Sequence, residues 1–263
     1  MAVLVALTWG SRTASAEAGS AERIVAARYT TPVERYGHFA LGRPHEYASL
    51  TVTTSGGRQV TMSLPRQAVF EDLAPRLFTL APEEAPMLLA IVSLREQGSR
   101  LAIISLGNEG LSVAAQSPPV GTPMRWLNPV GVADLDGDGR VEIAAVTTPH
   151  IGGRLRVYRL QGSELVEIAS RKGFSNHAYR TPELALSAAV RLADGWRLVV
   201  PDARRRRLRI MALEEYRLVE TGRCDLPSTV IGPLRVLGEG RVSVGLVTGE
   251  RIVDLAACRA PPG

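Results

Sequence analysis

The chain has 263 residues, a formal net charge of +5 and an apolar content of 45%. It is therefore long and apolar enough to bury a substantial core within one domain, and its modest excess of basic residues excludes a polybasic tail. The 25 glycines and 17 prolines are spread along the whole length, which favours many short elements joined by turns over a few long helices.

The N terminus has the pattern of a signal peptide. A short apolar run over residues 2–9 is followed by small polar residues and by Ala14-Ser15-Ala16, which matches an A-x-A cleavage site. The usual positive charge before the run is missing, and a disordered tail is the alternative. We expect residues 1–16 to be a signal peptide and residues 17–263 a single domain in a periplasmic or secreted protein. The apolar run is too short to span a bilayer, so no membrane span is expected.

A strand hairpin recurs along the chain with a period near fifty residues. The five hairpins cover residues 48–63, 87–106, 141–160, 196–211 and 241–255. Further strand-like segments precede four of them and follow three. Four antiparallel strands that repeat radially form the blade of a β-propeller, and about five blades fit this length. A β-sandwich is the competing architecture, but it would not explain the period.

The two ends of the chain predict how the ring closes. The last hairpin is followed by Pro261-Pro262-Gly263 and has no outer strand of its own, whereas residues 23–29 near the N terminus have the outer-strand pattern. We expect residues 23–29 to pair with the C-terminal blade, because this pairing removes the exposed edges of an open array.

One loop has the composition of a calcium site. Asp134, Asp136, Asp138 and Glu142 offer carboxylates and Arg140 a backbone carbonyl, with glycines at 137 and 139. Such hard oxygen ligands suit Ca²⁺, and four carboxylates within nine residues repel one another without a cation. An EF-hand is disfavoured because its twelfth position is Ala145 and strand-like segments flank the loop. A tight hairpin turn without an ion is the remaining alternative.

The unit from Ala133 to Val146, a strand, the loop Asp-Leu-Asp-Gly-Asp-Gly-Arg and a second strand, resembles the FG-GAP/VCBS repeat of integrin α-chain propellers and exported bacterial proteins. The resemblance implies one structural Ca²⁺ in the loop between the inner and second strands, because the equivalent loops of the other repeats are degenerate. It is specific over about fifteen residues and only architectural elsewhere.

The face of such a propeller that lies opposite the calcium loop is the predicted binding face. Loops that enter the inner strands and loops between the second and third strands meet there. We expect them to form a cationic pocket from Arg125, Trp126, Asn128, His150, Asn176, His177 and Arg180. The alternative is that Trp126 packs between blades while the two asparagines bond to turn backbones.

The motifs favour a binding or scaffold module over an enzyme. No nucleophile elbow, phosphate loop or dinucleotide fingerprint is present. We expect a protein partner or an anionic small molecule. The alternative is a periplasmic lyase or hydrolase that uses His150 and His177 in the channel face.

Two further patterns leave alternatives open. The arginines at 204–207 and 209 lack the interleaved aromatic residues of a nucleic-acid platform, so a hairpin tip or an anionic partner is favoured and no nucleic acid is expected. Cys224 and Cys258 are compatible with one disulfide in an oxidising compartment or with two free thiols.

Overall fold

A computed structural model describes residues 22–259, and within this range the protein is all-β. The predicted signal peptide, residues 1–16, lies outside the described residues. Residues 22–259 form strands and one short 3₁₀-helix, and they contain no α-helix. No helix in this range is long and apolar enough to cross a membrane.

The strands follow one another in five antiparallel groups. The first two groups are β1 (Ile24–Pro32), β2 (Tyr47–Thr54) and β3 (Gln59–Ser63), then β4 (Ala68–Phe70), β5 (Arg76–Phe78), β6 (Met87–Leu94), β7 (Gly98–Gly107) and β8 (Gly110–Gln116). The third is β9 (Leu127–Ala133), β10 (Glu142–Thr147), β11 (Arg154–Gln161) and β12 (Glu164–Lys172). The last two are β13 (Ala188–Leu192), β14 (Gly195–Pro201), β15 (Arg207–Glu214) and β16 (Arg217–Asp225), then β17 (Val230–Gly238), β18 (Arg241–Leu246) and β19 (Gly249–Asp254) with the 3₁₀-helix Leu255–Ala257.

Neighbouring strands in each group are joined mostly by tight turns. In the second group, β4 and β5 share the inner edge of β6, each pairing with a different part of that strand. Single pairings join the first three groups into one continuous sheet, because β2 also pairs with β4 and β8 pairs in parallel with β12. The fourth and fifth groups are separate sheets.

The core lies between successive groups and follows the alternation of side chains along each strand. In β10, Ile143 and Ala145 pack toward the second group, whereas Ala144 and Val146 pack toward the fourth. Successive side chains of a strand point to opposite faces, so each middle group contributes one apolar face to each neighbour. Within residues 22–259, four cores form in this way, and none joins the last group to the first.

The five predicted hairpins are confirmed as β2–β3, β6–β7, β10–β11, β14–β15 and β18–β19. The predicted role of residues 23–29 is wrong. This segment lies in β1, which pairs with β2 rather than with the C-terminal group. The reason is packing: the ring of Tyr29 stacks on Phe70 with 4.9 Å between centroids, and β1 reaches this apolar core only as the neighbour of β2.

A disulfide ties the end of the chain to the fourth group. Cys224 at the end of β16 is bonded to Cys258, which follows the 3₁₀-helix, across a sequence separation of 34. The structure thus resolves the two cysteine alternatives in favour of the disulfide. The bond connects the last two groups covalently, in addition to their shared apolar core.

Candidate functional site

Four loops meet at one end of the sheets. They are the β1–β2 loop with His38, the segment before β9 with Trp126, the β10–β11 loop with His150, and the β12–β13 loop with His177. The rings of Trp126 and His150 are parallel with centroids 6.0 Å apart, and His177 lies 4.8 Å from Trp126. The structure therefore brings together three of the residues that the loop topology predicted to meet.

His150 and His177 form a direct hydrogen bond. His150 Nε2 lies 2.7 Å from His177 Nδ1, and His177 Nε2 lies 2.8 Å from the carbonyl oxygen of Thr181. A carbonyl only accepts, so His177 carries its proton on Nε2 and accepts at Nδ1 from His150. Both nitrogens of His177 are occupied, and the residue is fully buried. His177 therefore has no free nitrogen with which to act on a ligand, whereas Nδ1 of His150 faces no partner within residues 22–259.

Both histidines are neutral at physiological pH. Burial lowers the pKa of His150 from 6.5 to about 3, and the neighbouring His177 contributes to the shift. Burial likewise lowers the pKa of His177 to about 4, against the opposing effect of its bond to Thr181. The interior disfavours the charged imidazolium form. His150 thus adds a hydrogen-bonding nitrogen to this site, and neither histidine adds positive charge.

A cavity of about 290 Å³ opens beside this cluster. Aromatic, aliphatic and basic side chains and one threonine form its wall: His38, Met124, Arg125, Trp126, Thr148, His150, Ile151 and Tyr179. The Tyr179 ring lies 5.1 Å from the ring of His150 and 5.9 Å from that of His38. This is the composition of a small-molecule site, mostly apolar with a few polar groups directed inward.

The other predicted pocket residues take different positions. Arg125 lines the cavity, whereas Arg180 is exposed with its guanidinium 5.5 Å from the Tyr179 ring. Asn128 and Asn176 are fully buried, and each side-chain amide donates to the backbone carbonyl of the other at 3.1 Å. The asparagines thus join the start of β9 to the β12–β13 loop, and both bond to backbone groups as the alternative interpretation stated. Arg125 is therefore the basic residue of the predicted set that lines the cavity.

Sequence reasoning missed His38, which lies in the long β1–β2 loop. Its Nδ1 lies 2.9 Å from Oε1 of the buried Glu71, and its backbone carbonyl accepts from the Tyr179 hydroxyl at 3.1 Å. A sequence signal was available only in outline: a Gly-His-Phe segment inside a loop of fourteen residues, which is longer than a hairpin needs.

The acidic loop between β9 and β10 lies within residues 134–141. One carboxylate oxygen from each of Asp134, Asp136 and Asp138 lies within 4.8 Å of the other two. Asp134 also accepts from the backbone N–H groups of Gly137 at 2.8 Å and Gly139 at 3.1 Å. Both glycines have positive φ, of 79° and 87°, which the tight winding of the loop requires. Three convergent carboxylates are a donor set that fits a hard cation.

Glu142, predicted as a further ligand, has other partners. Its buried carboxylate accepts from the backbone N–H of Leu135 at 2.8 Å and pairs with Arg159 at 2.6 Å. The same guanidinium lies 2.7 Å from Asp136 and 3.1 Å from Asp138. Arg159 on β11 directly opposes Glu142 on β10, so the strand register brings the pair together. The protein thus supplies part of the positive charge that the loop requires.

The arginine cluster at the β14–β15 turn is mostly engaged within the protein. Three of its members reach a backbone carbonyl or a carboxylate at 2.6–2.8 Å: Arg205 contacts His177, Arg207 contacts Asp225 and Arg209 contacts Glu220. These contacts account for much of the charge that suggested an anionic partner at this turn.

No protein-family model matches the sequence, and no curated protein matches it either. Among solved structures, the fold is similar to a candidate 6-phosphogluconolactonase from Bacteroides fragilis, with 14% sequence identity and a TM-score of 0.43. The similarity covers 83% of this chain and 66% of that chain. This chain thus spans less than two thirds of the length of that protein.

Proposed function

We propose that this protein is a β-propeller of about five blades, related to the FG-GAP/VCBS type, that binds a small anionic ligand in the pocket beside Trp126 and His150. The alternation of apolar faces supports the propeller. Each middle group packs one face on the preceding group and the other on the following group, which is how radially arranged blades pack. The five antiparallel groups are then the blades.

The cavity beside the aromatic cluster is the observation that carries the binding function. Its wall is dominated by rings and aliphatic groups, and Arg125 contributes a guanidinium. One N–H of Arg125 donates to the backbone carbonyl of Met124 at 3.2 Å, so other N–H groups remain for a ligand. A planar, mostly apolar ligand with one carboxylate matches this wall. An aromatic carboxylate is therefore the ligand class that we favour.

Isothermal titration with benzoate tests this proposal, with benzyl alcohol as the uncharged analogue. We expect benzoate to bind and the alcohol to bind more weakly. Arg125→Gln should weaken benzoate binding by about tenfold or more, because a hydrogen bond to a charged group contributes about 1.5–3 kcal/mol. Arg140→Gln is the matched control, since it removes the same charge from the exposed acidic loop between β9 and β10. Equal benzoate affinities in the two variants, or no binding to the wild type, would contradict the proposal.

We also propose that Asp134, Asp136 and Asp138, with the carbonyl of Arg140, hold one structural Ca²⁺. The convergent carboxylates support this. Glu142 would not bind the ion directly; it fixes the loop backbone by accepting a hydrogen bond from the N–H of Leu135. The ion would offset the mutual repulsion of the aspartates and hold the β9–β10 connection, with a stabilisation that grows with free calcium.

Thermal melts in EDTA and in millimolar CaCl₂, with metal content measured on the same sample, test the calcium proposal. We expect about one calcium per chain and a higher melting temperature with calcium. Asp136→Ala should melt at a lower temperature and lose the response to calcium. Arg159→Met should enlarge the response, because it removes the guanidinium that now contacts Asp136 and Asp138. Identical wild-type melts with and without chelator would exclude a structural ion.

We further propose that the protein is exported to the periplasm or the medium. The disulfide between Cys224 and Cys258 supports this, because disulfides persist in oxidising compartments and are rare in the cytosol. Fractionation of cells that express the full chain tests the location. Recovery in the cytoplasmic fraction with both cysteines reduced would contradict export.

A further inference from the structure

Two buried carboxylates hold the short turn that carries His38. The first is Glu46, which accepts from four consecutive backbone N–H groups, those of residues 36–39, at 3.0–3.3 Å. Glu46 is fully buried. Burying a carboxylate is costly unless hydrogen bonds compensate, so this arrangement commits a charged group to fixing one turn.

The second carboxylate, Glu71, holds the imidazole itself. Its Oε1 lies 2.9 Å from His38 Nδ1 and accepts from the backbone N–H of Ala40 at 2.9 Å, while its Oε2 accepts from Ser93 Oγ at 2.7 Å. Ser93 is in turn 2.6 Å from Ser99. Glu71 is fully buried, so neighbouring donors rather than solvent fix its position.

These contacts leave one nitrogen of His38 free at the pocket. In the neutral ring, the Nδ1–H donates a hydrogen bond to the carboxylate of Glu71, so the lone pair is on Nε2. The side chain of His38 is 10% exposed and forms part of the wall of the 290 Å³ cavity. Within residues 22–259, no protein group bonds to Nε2. A carboxylate that fixes the ring and tautomer of a histidine, whose other nitrogen meets a cavity, is the arrangement of a general base.

We propose that His38 is the proton acceptor of a hydrolytic reaction in this pocket, acting on a small aromatic or apolar carboxylic ester. The inference rests on the proposed function, since it uses the same pocket, and it adds a reaction to the binding. Glu71 is a positioning residue, because it acts through His38. His150 and His177, the pair that the alternative enzyme interpretation named, then have structural roles: His150 lines the cavity and His177 fixes His150 through their hydrogen bond.

Ester hydrolysis in this pocket needs water as the only reactant besides the ester. His38 Nε2 takes a proton from a water molecule as the water oxygen bonds to the carbonyl carbon of the ester. The negative charge that develops on the carbonyl oxygen faces the guanidinium of Arg125. The ester C–O bond then breaks, and the leaving oxygen receives the proton from His38. The products are a carboxylic acid and an alcohol or phenol.

An aryl ester is the probe to use, because a phenolate leaves readily and needs little assistance from an acid. We would measure hydrolysis of phenyl acetate by the wild type and by His38→Gln, with His45→Gln as the matched control. His45 is partly buried on the same loop, and its only hydrogen-bonding contact among residues 22–259 is with Tyr47, at 3.5 Å. We expect His38→Gln to lose about 100-fold or more of kcat/KM, and His45→Gln to retain wild-type activity.

Glu71→Gln tests the positioning role. The amide has the same shape, and its oxygen can still accept from His38 and Ala40, so we expect the fold to be retained. We expect kcat to fall by about tenfold or more with KM unchanged. A loss confined to KM or to the melting temperature would show that Glu71 is merely structural.

Modification of the wild type keeps the proposal testable if His38→Gln does not fold. Diethyl pyrocarbonate should modify His38, as measured by peptide mapping, in proportion to the loss of activity. Benzoate should protect His38 from modification and the enzyme from inactivation. Benzoate binding without wild-type turnover would overturn this inference and leave the proposed function intact. Turnover that persists in His38→Gln, or after complete modification of His38, would overturn it as well. Absence of benzoate binding would instead contradict the proposed function.

Discussion

Acidification should destabilise this protein through His150 and His177. The pKa of a histidine in the unfolded chain is 6.5, whereas in the fold it falls to about 3 for His150 and about 4 for His177. A depressed folded-state pKa means that the unfolded chain binds the proton first. The stability associated with these two residues is therefore complete above about pH 6.5 and is lost as the pH falls toward their folded values.

The magnitude follows from the two pKa values of His177. Each pH unit between the unfolded and folded values costs about 1.36 kcal/mol, because one proton is bound in the unfolded state alone. From pH 6.5 to about pH 5, the free energy of unfolding falls by about 2 kcal/mol through His177. His150 lowers it by at most a comparable amount. The free energy of unfolding of a typical domain is about 5–15 kcal/mol, so the loss is a large fraction.

Urea unfolding at about pH 7.5 and about pH 5 measures this loss, followed by tryptophan fluorescence. The wild type should lose about 2 kcal/mol or more beyond the loss shown by His177→Gln. The comparison uses the difference between the two pH values within each variant, so a constant effect of the substitution cancels. His45→Gln serves as the baseline for removing a histidine outside the cluster. An equal pH-dependent loss in the wild type and in His177→Gln would refute the assignment of these buried, neutral rings.

Three other variants test the disulfide, a group of buried ion pairs and a close backbone approach. Replacing Cys224 and Cys258 with serine should lower the free energy of unfolding by about 4 kcal/mol by chain entropy, and a denaturant midpoint unchanged by both the variant and reductant would contradict the disulfide. Glu220→Gln should lower the free energy of unfolding by about 3 kcal/mol in the same assay. Burial alone would raise the pKa of Glu220, but its arginine partners lower it to about 2, so the ion pairs stabilise the charged form in the fold. An unchanged free energy of unfolding would mean that the ion pairs contribute nothing. Gly153→Ala should lower the melting temperature, because the added Cβ would collide with the carbonyl oxygen of Phe174. A melting temperature equal to that of the wild type would exclude this close approach.

The hairpins were predictable because their determinants are local. Residues 87–106 and 141–160 alternate or run apolar over the length of a strand and are separated by glycine-containing or polar turns. The strand β4, Ala68–Phe70, was not predicted, because three residues carry too little pattern to distinguish a strand from a loop. The residues of β4 pair with two different strands, β2 and β6, which only the assembled sheet brings together.

The partner of β1 could not be predicted for a similar reason. The sequence of Ile24–Pro32 is suited to either edge of a blade, and the choice depends on which core can bury its apolar residues. Tyr29 packs against Phe70, more than forty residues away in the chain. Such a contact is not encoded in the strand pattern itself, because the alternation of residues specifies a face but not a neighbour.

The pocket was predicted in part. Loop topology alone indicated that Trp126, His150 and His177 would meet, and they do. The prediction did not separate residues that line the cavity from those below it, such as Asn128, because exposure depends on how each turn packs on its neighbours. Nor did it find His38, whose ring is held at the cavity by a hydrogen bond to Glu71 across 33 residues.

The sequence by itself determined that the chain forms repeated antiparallel hairpins, that one loop gathers three aspartates, and that histidine-bearing loops lie at one end. These features follow from side-chain alternation, turn residues and charge at short range. Only the tertiary structure decided which strand pairs with β1, which charges are neutralised by Arg159, and which imidazole nitrogen is free at the cavity. These outcomes depend on distant groups meeting in a buried, low-dielectric interior, where burial and hydrogen-bond partners determine what each side chain can do.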